Sequence, residues 1–306
     1  MLTEVQKQIL ARVADMKKIP DGAVNIRSNG KKIYRHNSEH IRIEGKTDKD
    51  GIDIRIDAGT KNESVYIPVV LTAGMSDMVY NDFFVGAGAD VTIVAGCGIH
   101  NDSCDESRHD GIHTFYLEKG ARVHYIEKHY GEGAGAGSRV LNPQTIVYLG
   151  EQASMTMDTA QIGGVDDTKR YTKVVCQGAG SEIIINEKLQ TDGTQQAVSE
   201  MDVILDGVDS KTRVVSRSVA KGDSSQVFYP RVTGNAPCFG HVSCDSIIMD
   251  HGKVRSIPEL NCNHVDAGLM HEAAIGKIAG EQILKLETLG LTAEQAEEKI
   301  LEGFLR

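Results

Sequence analysis

The sequence predicts a mainly β fold, a right-handed parallel β-helix carrying a short N-terminal helix and two C-terminal helices. Three observations lead there. Short apolar and polar runs suited to strands, as in Ile52-Asp53-Ile54-Arg55-Ile56, Val123-His124-Tyr125-Ile126 and Val203-Ile204-Leu205, are each bounded by Gly, Asp or Asn. A turn of glycine, small and charged residues followed by a strand recurs at Gly88, Gly120, Gly150, Gly180 and, more loosely, Asp209, at intervals of 32, 30, 30 and 29 residues. Composition adds 32 glycines against 5% aromatic residues and no Trp, which suits stacked strands and tight turns better than a compact pocketed enzyme. A strand-only period of this length is the mark of a solenoid, in which each coil buries its inner face against the next. A β-sandwich or jelly roll also places strands every 8 to 12 residues, but gives no reason for so constant a glycine-turn spacing.

In chain order, residues 3–18 read as an amphipathic helix: Thr3 and Gln6 have capping-box spacing, Val5, Ile9, Val13 and Met16 recur at helical intervals, and Pro20-Asp21-Gly22 stops the run. From Val24 to Pro258 strands follow one another without a helix. The stretch Gly131–Ser138 (GEGAGAGS) lacks the third glycine of a GxGxxG loop and reads as a mobile connection. After Pro258 the period turns helical. Leu269, Ala273, Ile275, Ile278, Gln282, Leu286 and Leu289 outline a helix ended by Gly290, with His271-Glu272 near its head, and Thr292 with Gln295 caps a second one. The domains expected are 1–20, an N-terminal helix; 21–260, the β-helix; and 261–306, a helical region.

The net charge of −10, without a Lys/Arg-rich run, argues against a nucleic-acid partner. The first residues show no apolar signal region and no window suits a membrane span, so a cytoplasmic protein is expected, with its six cysteines reduced. Several enzyme signatures fail. Ile275 stands where a zincin helix starting at His271-Glu272 needs its second His, Gly276-Lys277-Ile278 is not a P-loop, and no GxSxG elbow occurs. A carbohydrate-active β-helix would need paired carboxylates in an aromatic cleft, which so few aromatics do not supply.

What remains is thiol and imidazole chemistry. Residues 233–272 hold Cys238, Cys244 and Cys262 with His241, His251, His264, Glu259, Asp266 and Glu272 interleaved. Cys97 lies between Gly96 and Gly98, an arrangement that would leave its sulfur approachable, and Cys104, His100, His109 and His113 are near it in sequence. Cys176 reads as a small buried hydrophobe.

The segments GHVSCDSIIMD, SIPELN and HEAAIGKIAGEQILKLETLGLTAEQAEEKILEGFL, together with the Gly96-Cys97 step, resemble the SufB/SufD family, the β-helical scaffolds of the SUF iron-sulfur cluster assembly system. The resemblance implies the same fold and a scaffold that is not itself an enzyme. It implies an ABC-type ATPase (SufC) docked on the C-terminal helices, ATP hydrolysis on that partner, pairing of subunits through the ends of their β-helices, a sulfur donor protein, and a transient iron-sulfur cluster built near the interface. Residue by residue, it implies that Cys244 and Glu272 anchor the cluster through iron with His271 beside them, and that Cys97 accepts sulfur. Cys262, His264 and Cys238 are further candidate ligands. A compact chain of one type points to a homodimer. The alternative is a structural subunit that activates the ATPase without holding a cluster, for which Cys244 would have no chemical purpose.

Overall fold

The computed structural model describes residues 2–161 and 163–305. It is a β-solenoid of about eight turns, with helices at both ends. Two sheets face one another. Among the described residues the first has ten strands, in the order Lys31–His36, Ala23–Ser28, Lys61–Leu71, Asp90–His100, Arg122–Glu132, Ser154–Gln161, Glu182–Thr191, Ser210–Ala220, Cys238–Ile248 and Ala267–Gly276. The second runs from Ile41–Gly45 and Gly51–Ile56 through Ser76–Val85, Ser107–Leu117, Arg139–Leu141 with Gln144–Leu149, Asp167–Cys176 and Gln196–Leu205 to Ser225–Gly234, which pairs with Lys253–Ser256 and Glu259–Cys262. Among the described residues only the pairings of Ala23–Ser28 with Lys31–His36 and of Ile41–Gly45 with Gly51–Ile56 are antiparallel. Every other ladder is parallel, as coiling in one direction requires.

The sequence repeat is the corner of each coil. Gly88, Gly120, Gln152, Gly180 and Asp209 all have a left-handed backbone, with φ between 53° and 66°. Each corner N–H donates to a carbonyl of the next turn, from Gly88 to Lys119, Gly120 to Glu151, Gln152 to Ala179, Gly180 to Val208 and Asp209 to Pro237. In the third repeat the corner therefore falls on Gln152 rather than on Gly150. The small residue that follows is fully buried, as Ala89, Ala121, Ala153, Ser181 or Ser210, because it turns into the narrow end of the core.

Helix α1, Glu4–Ala14, starts at the Thr3–Gln6 capping box and buries Ile9, Leu10, Val13 and Ala14 against the outside of the first sheet. Helix α2, Gly280–Glu287, is followed by Gly290 at φ 94°, and α3, Ala293–Phe304, starts at the Thr292–Gln295 capping box. Of these two helices' residues only Ala296 is buried.

Two expectations are corrected. The first concerns His271 and Glu272, which lie on a strand. Ala267–Gly276 adds a final parallel strand to Cys238–Ile248, and the helix begins at Gly280. The second concerns the glycine-rich stretch, which is not a loose connection. Gly135 N–H donates to Asn101 O and Gly137 N–H to Ser103 O, and a Cβ at Gly135 or Gly137 would fall within 2.3 Å of backbone oxygen of Ser103 or Asp105. Its glycines let two loops stack in direct backbone contact.

Candidate functional site

Cys97 faces the inside of the solenoid. Along Asp90–His100 alternate residues turn inward, so Cys97 follows Ile93 and Ala95 into the core and is 6% exposed. Its flanking glycines face outward under α1, where a Cβ at Gly96 would lie 2.3 Å from the Val13 carbonyl and one at Gly98 would lie 2.0 Å from Ile9 Cγ2. The glycines thus make room for a helix and do not open a path to the sulfur. This corrects the expectation of an approachable thiol.

The residues around Cys97 are polar and buried. Its strand partner is His129, while His109 projects from the second sheet. Burial pushes the Cys97 thiol up, but the charge and hydrogen bonding of His109, and then of His129, outweigh it and bring the thiol to about 7. On the far side of His129, Arg170 Nη2 lies 3.2 Å from His129 Nδ1, and Glu127 Oε1 lies 3.6 Å from Nε2. Tyr125 donates its hydroxyl to Glu127 at 2.9 Å. With that proton committed, the 2.7 Å contact between Tyr125 and His113 Nδ1 must be donated by the imidazole.

These groups belong to two inward-facing rows on the first sheet. Register pairs Cys97 with His129, then Gln161, Leu189, Ser218 and Ser246. The neighbouring row pairs Ala95 with Glu127, then Thr159, Glu187, Ser216 and Cys244. Cys97 and Cys244 thus sit in adjacent rows, five strands apart, a separation of roughly 24 Å at the usual strand spacing. Between them the side chains are mostly polar, which is unusual for a solenoid core. Glu187 accepts hydrogen bonds from Ser199 at 2.7 Å and Ser216 at 3.0 Å, and its carboxylate lies 3.7 Å from Arg170 Nε. Beside Cys244 the rows enclose a cavity of about 20 Å³, lined among others by Glu187, Ser216, Gln226, Ser246 and Ser256. That is room for one water-sized guest. Both amide atoms of Gln161, Arg170 Nη1 and Gln226 Oε1 have no hydrogen-bond partner among the described residues.

Cys244 is 3% exposed and faces the same interior. His271, on the last strand, projects inward beside it, with Nε2 3.3 Å from the sulfur. Burial pushes the thiol up to about 11, against a hydrogen bond with Ser256, and burial also lowers His271. The thiol therefore donates to a neutral imidazole. A soft metal that displaces this shared proton gains a thiolate and an imidazole together. Glu272 follows His271 and so lies on the opposite face, 66% exposed, with Oε1 3.2 Å from His241 Nε2. In a single chain Cys244 and His271 come together, while Glu272 pairs with His241 across the sheet. Among the described residues no three His, Cys, Asp or Glu side chains converge closely enough to hold a metal.

The other candidates lie at the opposite end of the last coil. Cys238 is buried and raised by burial, with the charge of Cys262 adding to the effect, and Cys262 is exposed. His264 accepts the Asp266 N–H at 3.1 Å in the turn that follows. Six residues of strand separate Cys238 from Cys244, roughly 20 Å. Cys176 is fully buried in the core, as its surroundings in the sequence suggest. Reading from the sequence missed His129, Glu127, Arg170 and Glu187. Their one signal was charged residues at the inward positions of predicted strands, which without register looks the same as a solvated face.

Residues 72–304 match the family described as SUF system FeS cluster assembly, SufBD core domain. An iron-sulfur cluster assembly SufBD family protein of Methanothermobacter thermautotrophicus is 31% identical over 231 residues, covering 74% of this chain and 54% of the relative. One from Archaeoglobus fulgidus is 26% identical over 279 residues, 89% of this chain and 73% of the relative. A chloroplastic member from Arabidopsis thaliana is 25% identical over 228 residues, 72% of this chain and 40% of the relative. The chain thus spans about half the length of the first of these. With the core domain matched over most of its residues, this protein belongs to the SufB/SufD family of iron-sulfur cluster assembly proteins.

Proposed function

We propose that this chain is the scaffold on which a SUF-type iron-sulfur cluster is assembled. Cys97 accepts sulfur from a donor protein, and Cys244 with His271 holds the growing cluster as cargo, to be released when complete. The observation that carries this reading is the pair of polar rows joining the two thiols through the solenoid interior. A hydrophobic core would be more stable there, and a polar lane gives a small anionic sulfur species hydrogen-bonding partners along the whole distance. Thiolate and imidazole together bind iron firmly enough to build on it, yet less tightly than four thiolates.

One chain offers only part of a ligand set at Cys244, so the cluster forms in a homodimer, where the solenoid end of a second copy adds its own ligands. Glu272, exposed on the last strand, is the carboxylate available to a cluster at that junction. An ABC-type ATPase docks on α2 and α3, where Leu284 of α2 and Leu289 in the turn after it stay exposed, and that partner hydrolyses the ATP. No helix among the described residues is long and apolar enough to cross a membrane, and the acidic charge of the chain disfavours nucleic acid; the proposed compartment is the cytoplasm.

Anaerobic reconstitution with ferrous iron and sulfide, followed through thiolate-to-iron charge-transfer absorbance, tests the site. The wild-type protein gains the bands and Cys244→Ser loses most of them. A serine variant that loads as much cluster as wild type sinks the assignment and favours a purely structural subunit.

A further inference from the structure

The acceptor role of Cys97 does not by itself account for the chain of polar groups behind it. Arg27 clamps Asp77, with Nη2 donating to Oδ1 at 2.7 Å and Nε to Oδ2 at 3.1 Å and Oδ1 at 3.3 Å. Asp77 Oδ2 in turn lies 3.1 Å from His109 Nδ1, with both residues almost fully buried. An ionised carboxylate only accepts, so Nδ1 carries a proton and Nε2 points away from Asp77. That nitrogen is buried and makes no aligned hydrogen bond. Room for the ring comes from Gly111, where a Cβ would lie 3.2 Å from His109 Nε2. Across the gap between the sheets, the group coupled to this imidazole is the Cys97 thiol.

We infer that Cys97, His109 and Asp77 form a nucleophile, base and carboxylate triad inside the solenoid, which presents Cys97 as a thiolate to a persulfide donor. This deepens the proposed function and rests on its reading of Cys97 as the sulfur acceptor. His109 is the group coupled to the reacting sulfur and holds its proton, while Asp77 is a positioning residue that fixes the ring and stabilises its charged form. The charges agree. Burial lowers His109, but Cys97 and then Asp77 raise it to about 10, while the thiol sits at about 7, so thiolate and imidazolium coexist at neutral pH. The other groups facing Cys97 and His109 are His129, Glu127, Arg170, Tyr125 and His113; none but His129 hydrogen-bonds the thiol.

The reaction this prepares is a sulfur exchange without net oxidation. The Cys97 thiolate attacks the outer sulfur of R–S–SH, a new S–S bond forms at Cys97 and the donor S–S bond breaks. The electron pair leaves on the donor thiolate, which takes its proton from the His109 imidazolium. One sulfur atom changes hands.

The test titrates the ultraviolet thiolate absorbance of the full chain, with Cys97→Ser as the reference, so that the difference reports Cys97 alone. Wild type is expected to show a midpoint near 7. In His109→Gln the midpoint rises to the ordinary thiol range of ~8.5 or above, so the thiolate fraction at neutral pH falls roughly tenfold or more. Asp77→Asn shifts it in the same direction by less, and circular dichroism verifies the fold. An unchanged midpoint in folded His109→Gln overturns the triad. Should both variants unfold, the histidine NMR titration of wild type decides: a His109 midpoint near the ordinary 6.5 overturns the proposal, and one near 10 that drops in Cys97→Ser supports it. Incubation with cysteine persulfide, read as a mass gain of one sulfur on Cys97, separates the two readings. A low midpoint without sulfur uptake defeats the acceptor role and leaves the triad, and uptake with an ordinary midpoint does the reverse.

Discussion

His113 shows what burial does to a single ionisable group in this core. It is 4% exposed, donates to Tyr125 and stacks edge-on against Phe83. Burial lowers it to about 4; the charge of Glu127 opposes this, and His109 and His129 add to it. In the unfolded chain the same side chain titrates near 6.5. Between these values the unfolded state binds a proton that the folded state refuses, so the group's contribution to stability falls as pH drops from 6.5 to 4. The full loss is about 3–4 kcal/mol at 1.4 kcal/mol per pH unit. In His113→Gln, urea unfolding across that range is expected to show a pH dependence shallower by about this amount. Equal slopes in the two proteins would mean that His113 is protonated in the folded state. The glycines beside Cys97 carry the opposite lesson about single residues. Gly-Cys-Gly reads in sequence as an exposed sulfur because nothing local tells which face each residue takes, and only the docking of Ile9 and Val13 of α1 reveals the glycines as the outer face.

At the scale of strands, the polar rows are held together by partners from the same coil or the next. Arg170 and Glu187 come from opposite sheets, and the two serines on Glu187 from different strands again. Removing one member of such a pair strands a charge in the core, whereas replacing both with apolar groups does not. Arg170→Met is therefore expected to cost about 3–5 kcal/mol, and Arg170→Met/Glu187→Leu less than the single change. Additive losses in a double-mutant cycle by urea denaturation would show that the two side chains do not share a charge balance. The corners of the coils were legible in sequence because a left-handed backbone selects glycine locally. The rows were not, since inward polarity becomes visible only when register is known. The strand Ala267–Gly276 failed for a related reason. Its alanines, with Leu269 and Ala273 four apart, favour a helix locally, but ten residues paired in parallel with Cys238–Ile248 outweigh that preference. The chemistry at Cys244 depended on this element, because a strand puts His271 and Glu272 on opposite faces where a helical turn would have kept them close.

For the whole molecule, the question is how a solenoid ends. At the N-terminal end, the antiparallel strands Lys31–His36 and Ile41–Gly45 close the two sheets. At the other end, within the described residues, no further strand pairs with Ala267–Gly276, Lys253–Ser256 or Glu259–Cys262, and their outer edges keep unpaired backbone donors and acceptors. Helix α3 is tied to the outside of the penultimate coils, by Lys221 to Glu297 at 3.7 Å and Arg217 Nη1 to the Phe304 carbonyl at 3.3 Å. Beside the free edges Val265 is 95% exposed, and Phe239, Met270 and Ile275 are each about half exposed. An unpaired edge flanked by apolar side chains is a template for a second edge, and natural proteins that must stay apart protect such edges with charge. Val265→Lys/Met270→Lys supplies that charge at positions whose side chains pack on little, so the stability of each chain is expected to move by no more than about 0.5 kcal/mol. Light scattering should then give the mass of two chains for wild type and of one for the variant. If the ligand set at Cys244 and His271 is completed across this junction, as proposed, cluster loading per chain should fall with the mass. A variant that remains dimeric, or a monomer that loads cluster as well as wild type, would move the junction elsewhere on the molecule.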